Sequence, residues 1–104
     1  MTYQNDTLAA LADRTRREIF ERLSAKQSSV ADLARAMPIS QPAVSQHLKV
    51  LREAGLVRGT PQGARVIYEI DLAGLGPLRT WLDRFWDAQL DAFKKAAETK
   101  EKDQ

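Results

Sequence analysis

The residues best suited to chemistry in this chain lie on one face of a predicted helix that begins near Ser40. Three apolar residues, Val44, Leu48 and Leu51, recur at i, i+4 and i+7 and predict the buried side of that helix. The opposite side is polar or basic, with no acidic residue before Glu53. The outward residues are Gln41, Pro42, Ser45, Gln46, Lys49 and Arg52. Such a face could lie among phosphates and read base edges, because glutamine can pair twice with adenine and serine with several bases.

Two arginines extend this surface beyond the helix. Short β-branched runs on either side of Pro61, Gln62 and Gly63 predict a hairpin, with Arg58 and Arg65 flanking its tip. Arginines at such a tip are suited to the DNA backbone or the adjacent minor groove. An alternative interpretation is a solvated amphipathic helix beside an ordinary surface hairpin. The acid-free face and the basic hairpin together favour DNA binding over that alternative.

Caps and breakers define the elements that must position these residues. Asp13, either Ser28 or Ser29, and Ser40 stand where a side-chain oxygen can accept the free N–H groups of a following helix. Ser29 is followed three residues later by Asp32, which is a weak form of the capping box. Pro38 is predicted to end the third helix, because the residue before a proline is pushed out of the helical region. Gly55 is predicted to end the fourth helix, in the position after the cap.

The predicted fold class is mostly α with a small β-hairpin: a winged helix-turn-helix of about five helices and a two-stranded wing. Its parts are the helix-turn-helix from Ser29 to Gly55, the wing from Leu56 to Ile70 and a C-terminal helix from Pro77 to Glu98. Another helix is predicted between Asn5 and Ala12. In the wing, alternation predicts that Val66, Tyr68 and Ile70 face the core.

Composition limits the classes of function. The 104 residues favour one domain, and 16 basic against 14 acidic residues give a net charge of +2. The absence of cysteine excludes disulfides and cysteine-ligated zinc. Without a signal peptide or an apolar run of about 18 residues, we expect a cytoplasmic protein with no membrane contact. No glycine-rich phosphate loop, histidine–nucleophile pair or paired-carboxylate pocket is visible, so we do not expect an enzyme.

The string SQPAVSQHLKVLREAGLV over residues 40–57, followed by a hairpin ending in VIYEI, resembles the ArsR/SmtB family of bacterial transcriptional regulators. LADRTRREIFERL over residues 11–23 resembles the preceding helix of that family. The resemblance implies a winged helix-turn-helix, a homodimer and repression that an inducer relieves, here an unidentified small molecule. Arg14 and Pro38 depart from the family's usual proline and glycine. By position, the resemblance places Arg65 on the wing. It places five residues on the recognition helix: Ser40, Gln41, Ser45, Gln46 and His47.

The same resemblance raises the question of metal sensing. His47 is the only histidine, and one imidazole cannot make a closed zinc site. It is interpreted as a phosphate contact or a packing residue. Asp83, Asp87 and Asp91 could hold a hard cation weakly, or form the wet side of an amphipathic helix. The string WLDRFW, from Trp81 to Trp86, resembles the metal-independent branch of the family, so we expect no metal and no cofactor.

The last predicted helix carries an apolar seam with two interpretations. Its large rings could line a small-molecule pocket or pair with a second copy of the chain. The dimer is favoured because so short a chain has a small core of its own. The first and last helices would then supply Leu8, Leu11, Leu78, Trp81, Leu82, Phe85, Trp86, Gln89 and Phe93, with Leu90 widening the seam. A dimer suits a near-palindromic operator in double-stranded DNA, with half-sites about 10 bp apart.

Two other functions compete with a DNA-binding repressor. One is a metal-sensing repressor of the same family that uses carboxylates. The other is a winged helix used for contact with another protein. Such modules usually lose the polar recognition face and the basic wing, and both are present here.

Overall fold

The computed structural model describes the backbone of residues 3–102 and the side chains of residues 6–99. Five helices and three short strands follow one another along the chain. They are α1 (Tyr3–Ala12), α2 (Arg14–Ala25), β1 (Ser28–Ser29), α3 (Val30–Ala36), α4 (Gln41–Glu53), β2 (Val57–Gln62), β3 (Arg65–Ile70) and α5 (Leu72–Lys102). The predicted winged helix-turn-helix is confirmed, with α3 and α4 forming the helix-turn-helix and the β2–β3 hairpin forming the wing.

The three predicted N-caps are confirmed. The Asp13 carboxylate accepts the Arg16 N–H at 2.9 Å at the start of α2. The hydroxyl oxygens of Ser29 and Ser40 accept backbone N–H groups at 3.2 Å at the starts of α3 and α4. Each cap satisfies a donor that the first helical turn leaves free, so these three residues set where the helices begin.

The core lies where α2, α3 and α4 meet the base of the sheet. Ile19, Leu33, Leu48, Leu51 and Leu56 are at most 2% exposed. These residues come from different helices and from the turn before β2, so the angle of α4 is set by side chains that α4 shares with its neighbours.

The sheet contains a strand that the sequence did not predict. Ser28 and Ser29 of β1 pair antiparallel with β3, which gives the strand order β1-β3-β2. A two-residue strand has no alternating pattern of its own, because it exists only through its pairing. It fastens the wing to the segment just before α3.

Two expectations about the second half of the chain are wrong. Helix α5 begins at Leu72 rather than at Gly76–Pro77, since the Asp71 carboxylate accepts the Ala73 N–H at 3.1 Å and starts the helix earlier. Pro77 therefore lies inside the helix, where it removes one backbone hydrogen bond. In the wing, Tyr68 and Ile70 pack against the core as predicted, but Val66 is 40% exposed because it lies near the hairpin tip, beyond the core.

Within residues 3–102, no helix is both long enough and apolar enough to cross a membrane.

Candidate nucleic-acid interface

Helix α4 presents to solvent a polar surface on which the one acidic residue is Glu53, the last residue of the helix. Its apolar face is packed inward, with Val44, Leu48 and Leu51 at most 1% exposed. Fixing this face to the core fixes the opposite face outward, because side chains of a helix project at set angles. The exposed residues of α4 and its cap include Ser40, Gln41, Pro42, Ser45, Gln46, Lys49 and Arg52. All seven are exposed, as the sequence predicted.

Two cations on this surface keep their charge unpaired. In the described part of the chain, no salt bridge involves Lys49 or Arg52. Both side chains are exposed. An unpaired cation has no internal partner to give up before it meets a phosphate, so these two positions are well prepared for the DNA backbone.

His47 lies at the edge of the recognition surface rather than within it. Its side chain is half-buried. The pKa of Asp13 is lowered from its ordinary value, mainly because its carboxylate accepts the Arg16 N–H. Desolvation opposes this shift, and the positive charges of Arg16 and His47 add to it. Half-burial of the His47 side chain is what a packing role requires, and a packing role is one of the two interpretations that the sequence left open.

The hairpin turn is shorter than the sequence predicted, and Arg58 lies away from it along β2. The turn is Gly63–Ala64, with φ +62° at Gly63, so β2 continues through Pro61 and Gln62. Arg58 pairs across the hairpin with Glu69, and its Nε donates to Glu69 Oε1 at 2.9 Å. This bond raises the pKa of Arg58 above its ordinary value.

Arg65 lies at the tip and anchors the wing to α3. Its Nη2 donates to both Ser29 Oγ and Asp32 Oδ2 at 2.7 Å. Arg35 also pairs with Asp32. Partial burial would raise the pKa of Asp32, but the hydrogen bonds from Ser29 and Arg65 and the nearby positive charges hold that pKa below its usual range. Among the described residues, the bonds that Arg65 makes to Ser29 and Asp32 use Nη2 alone, and the side chain is 56% exposed, which leaves its other guanidinium donors available to solvent or a ligand.

The Asp32 contact is the main feature of the site that the sequence did not reveal. Asp32 and Arg65 are 33 residues apart. No local pattern links them, because the contact depends on how β3 folds back onto α3.

The predicted dimer residues divide into covered and open groups. Leu78 is buried and Leu11 half-buried within the chain. Trp81 is also half-buried, and its ring meets that of Phe85 edge-on at 5.0 Å. The open group along α1 and α5 consists of Leu8, Leu82, Phe85, Trp86, Gln89, Leu90 and Phe93, with Phe93 75% exposed. We call the members of this group on α5 the α5 apolar face.

The three carboxylates of α5 recur at i, i+4 and i+8 along the helix. Asp83 borders the apolar face, because it lines the same surface cavity as Leu82, Phe85 and Trp86. Asp83 is 3.9 Å from the Arg79 guanidinium. Among the described residues, no three histidine, aspartate or glutamate side chains are arranged to hold a metal ion.

Known proteins match this arrangement over most of the chain. A protein-family model described as a helix-turn-helix domain matches residues 11–60. The HTH-type transcriptional regulator Rv2034 of Mycobacterium tuberculosis is 52% identical over 94 residues, which are 88% of each chain. The ArsR-like transcriptional regulator from Rhodococcus sp. RHA1 superposes with a TM-score of 0.74 at 34% identity, over 91% of this chain and 92% of that one. The chain belongs to the ArsR/SmtB family.

One similar solved structure is described as a dimer. The winged helix-turn-helix DNA-binding domain of Mb0332 from Mycobacterium bovis, described as homodimeric and as a possible ArsR-family regulator, has a TM-score of 0.67 at 25% identity. The match covers 82% of this chain and 79% of that domain. This ArsR/SmtB-family chain is thus a transcriptional regulator with a DNA-binding winged helix-turn-helix, and not an enzyme.

Proposed function

We propose that this regulator is a homodimeric repressor that binds a near-palindromic operator through α4 and the wing, and that metal is not its signal. The observation that carries the proposal is the exposed face of α4, which is polar or basic and contains no acid between Gln41 and Arg52. A surface that merely needs solubility would mix both charges. Repression is what the family resemblance implies.

The DNA contacts divide by chemistry. Gln41, Ser45 and Gln46 have the donors and acceptors to read base edges, since amides and hydroxyls match the major-groove pattern. Lys49 and Arg52 are suited to phosphates. Ser40 and Pro42 shape the start of α4, and His47 supports it from the α2 side. Arg65 would reach the backbone from the wing tip, and Arg58 from further down the hairpin.

The dimer is supported by the α5 apolar face. Burying one large apolar side chain is worth about 1.5–3 kcal/mol, and this face exposes several of them. Covering it with the same face of a second copy gives an isologous contact, which presents two α4 helices on one side. The homodimeric Mb0332 domain has a similar fold. Two α4 helices related in this way suit half-sites about one helical turn of DNA, ~10 bp, apart.

Metal independence is supported by the donor set. The chain has no cysteine, and His47 is its only histidine. The remaining candidates are exposed carboxylates, which favour hard cations and bind them weakly when isolated.

Gel shift and sedimentation together test this function. The probe is a duplex from upstream of the protein's own gene, and the control is a duplex of the same composition in shuffled order. We expect a single shifted species that survives excess shuffled competitor, and a free protein that sediments as a dimer. Equal binding to both duplexes would contradict operator recognition. Failure to bind either would favour a winged helix that contacts another protein.

A further inference from the structure

The end of the recognition helix and the start of the long helix meet backbone to backbone. Gly55 follows the C-cap of α4 with φ 78°. Its N–H donates to the Arg52 carbonyl at 3.0 Å, and the Leu56 N–H donates to the Leu51 carbonyl at 2.9 Å. This pair of bonds is the Schellman arrangement, which holds the turn rigidly and requires a residue that adopts positive φ.

Gly74 of α5 rests directly on this turn. A Cβ added at Gly74 would lie 1.5 Å from the Gly55 carbonyl oxygen and 2.6 Å from the Gly55 carbonyl carbon. The obstructing atoms belong to a backbone held by two hydrogen bonds, so they cannot rotate aside as a side chain would. Ordinary carbon contacts are about 3.5 Å, so any side chain at Gly74 must part the two helices by roughly 2 Å.

One further hydrogen bond ties the start of α5 to the same turn: the Asp71 N–H donates to the Leu56 carbonyl at 2.9 Å. Two other bonds lie within the start of α5 itself. The Gly74 N–H donates to the Asp71 carbonyl at 3.1 Å, and the Asp71 carboxylate accepts the Ala73 N–H at 3.1 Å. The start of α5 is therefore held on the turn after α4 by the Asp71–Leu56 bond and by the contact between Gly74 and Gly55.

From this geometry we infer that Gly74 is a positioning residue for operator binding: its contact with Gly55 sets the angle between α4 and α5, and thereby the separation of the two recognition helices in the dimer. The inference rests on the proposed dimeric function. Helix α4 carries the reading face, and α5 carries the apolar face that pairs with the second copy. A small angular change at this junction is magnified along both helices, because each extends well beyond the contact.

Two alanine variants of the full chain form a matched test. Gly74→Ala adds the obstructed methyl group. Gly76→Ala, two residues later in α5, adds the same methyl group where nothing lies within 4 Å. Gly76 directly precedes Pro77, and a Cβ before proline is disfavoured in a helix, so Gly76→Ala carries a local cost of its own at the start of α5. An effect that Gly74→Ala has and Gly76→Ala lacks is therefore due to the contact with Gly55.

The first measurement is independent of DNA. Since the chain has no cysteine, Ser45→Cys provides a unique position for a nitroxide on α4. Pulsed electron paramagnetic resonance then reports the distance between the two labels of the dimer. We expect Gly76→Ala to leave this distance unchanged and Gly74→Ala to shift or broaden it by ångströms. An unchanged distribution in a folded Gly74→Ala dimer would overturn the inference, and so would a wild-type chain that remains monomeric.

The second measurement is binding to operator duplexes, with Ser45 intact. We expect Gly74→Ala to weaken binding to the intact operator by at least about tenfold, with little change for a duplex carrying one half-site. Insertion or removal of a base pair between the half-sites should lower the operator affinity of Gly74→Ala by a smaller factor than that of wild type. A shifted label distance with unchanged operator affinity would contradict the functional role. If wild type binds no specific duplex while the distance still responds to Gly74→Ala, the proposed function fails and the positional role stands.

If Gly74→Ala does not fold, Asp71→Ala provides a second test, because it adds no atoms to the junction. Asp71→Ala removes the carboxylate that caps the start of α5 and leaves the glycine contact unobstructed. We expect a broadened label distance and a smaller loss of operator affinity in the same direction. An Asp71→Ala dimer indistinguishable from wild type in both measurements would contradict the inference.

Discussion

The recognition helix α4 and the long helix α5 use the same apolar periodicity in opposite ways. On α4, Val44, Leu48 and Leu51 are at most 1% exposed. On α5, Phe85 and Trp86 are 55% and 65% exposed. The difference teaches that periodicity identifies an apolar face without telling which chain covers it. The helix-turn-helix completes its core within one chain, whereas α5 leaves large apolar side chains exposed.

The two regions also differ in how their charges are held. In the wing, Arg58 and Arg65 are tied to carboxylates. On α4, Lys49 and Arg52 have no such partner among the described residues. We infer that the wing uses charge partly to hold its own shape, while α4 leaves its charge for a ligand.

The largest effect is expected from a charge on the α5 apolar face. Phe85→Glu places an unpaired carboxylate in the proposed seam, where desolvation costs several kcal/mol. Sedimentation should show a monomer, and operator binding should collapse because one recognition helix is lost. Thr80→Glu, on the opposite side of α5, is the control and should behave as wild type. A Phe85→Glu protein that stays dimeric would show that another surface pairs the chains.

A smaller and more specific effect is expected from the reading face of α4. Gln46→Ala and Ser45→Ala should each weaken operator binding by about 1–3 kcal/mol. Because both side chains are exposed, the free energy of unfolding should change by less than about 0.5 kcal/mol. Gln27→Ala, an exposed glutamine before β1, is the matched control. Normal affinity in both α4 variants would mean that α4 does not read DNA.

Phosphate contacts should appear in the salt dependence of binding. Lys49→Ala and Arg65→Ala should weaken specific and non-specific binding alike. Each should reduce the slope of log affinity against log salt by about one unit. Lys26→Ala, at the end of α2, should leave the slope unchanged. A loss confined to the specific operator would assign these residues to base reading instead.

A still smaller effect is expected at the wing anchor. Asp32→Asn removes a negative charge from the DNA-binding region, so electrostatics alone would strengthen binding. If Asp32 holds Arg65 in place, binding should instead weaken, by less than for Gln46→Ala. Tighter binding by Asp32→Asn would show that the carboxylate merely competes with phosphate.

Acid titration examines the same anchor by stability. The pKa of Asp32 is lowered in the folded chain, so its ion pair stabilises the fold above the ordinary carboxyl pKa of about 3.9 and is lost as pH falls below it. Wild type should therefore exceed Asp32→Asn in thermal stability at pH 7, and that advantage should shrink as the pH falls from the ordinary carboxyl pKa through the lowered pKa of the folded chain. A difference that does not depend on pH would mean the pair contributes nothing.

No effect at all is expected from zinc. The operator complex should persist in excess zinc, because the chain lacks cysteine and its single histidine is half-buried. Release at micromolar zinc that disappears in an Asp83→Asn, Asp87→Asn double variant would contradict this and assign metal sensing to α5.

Local chemistry made most of the fold and the outward face of α4 predictable. The caps at Asp13, Ser29 and Ser40 and the apolar repeat of α4 act within one or two turns, so they can be read along the chain. They determine where the helices begin and which residues of α4 face solvent. The start of α5 was misjudged because Pro77 is a conspicuous signal, while the Asp71 cap that overrides it is an ordinary aspartate.

Contacts between distant segments were decided only by the tertiary structure. The pairing of β1 with β3, the Arg65–Asp32 anchor and the meeting of Gly55 with Gly74 each join residues far apart in sequence. No local pattern records them, because they depend on the path of the chain between their ends. The sequence by itself determined which residues could bind DNA and which apolar faces exist. The tertiary structure decided which of those faces is already covered and how the reading helix is held against the helix proposed to pair the chains.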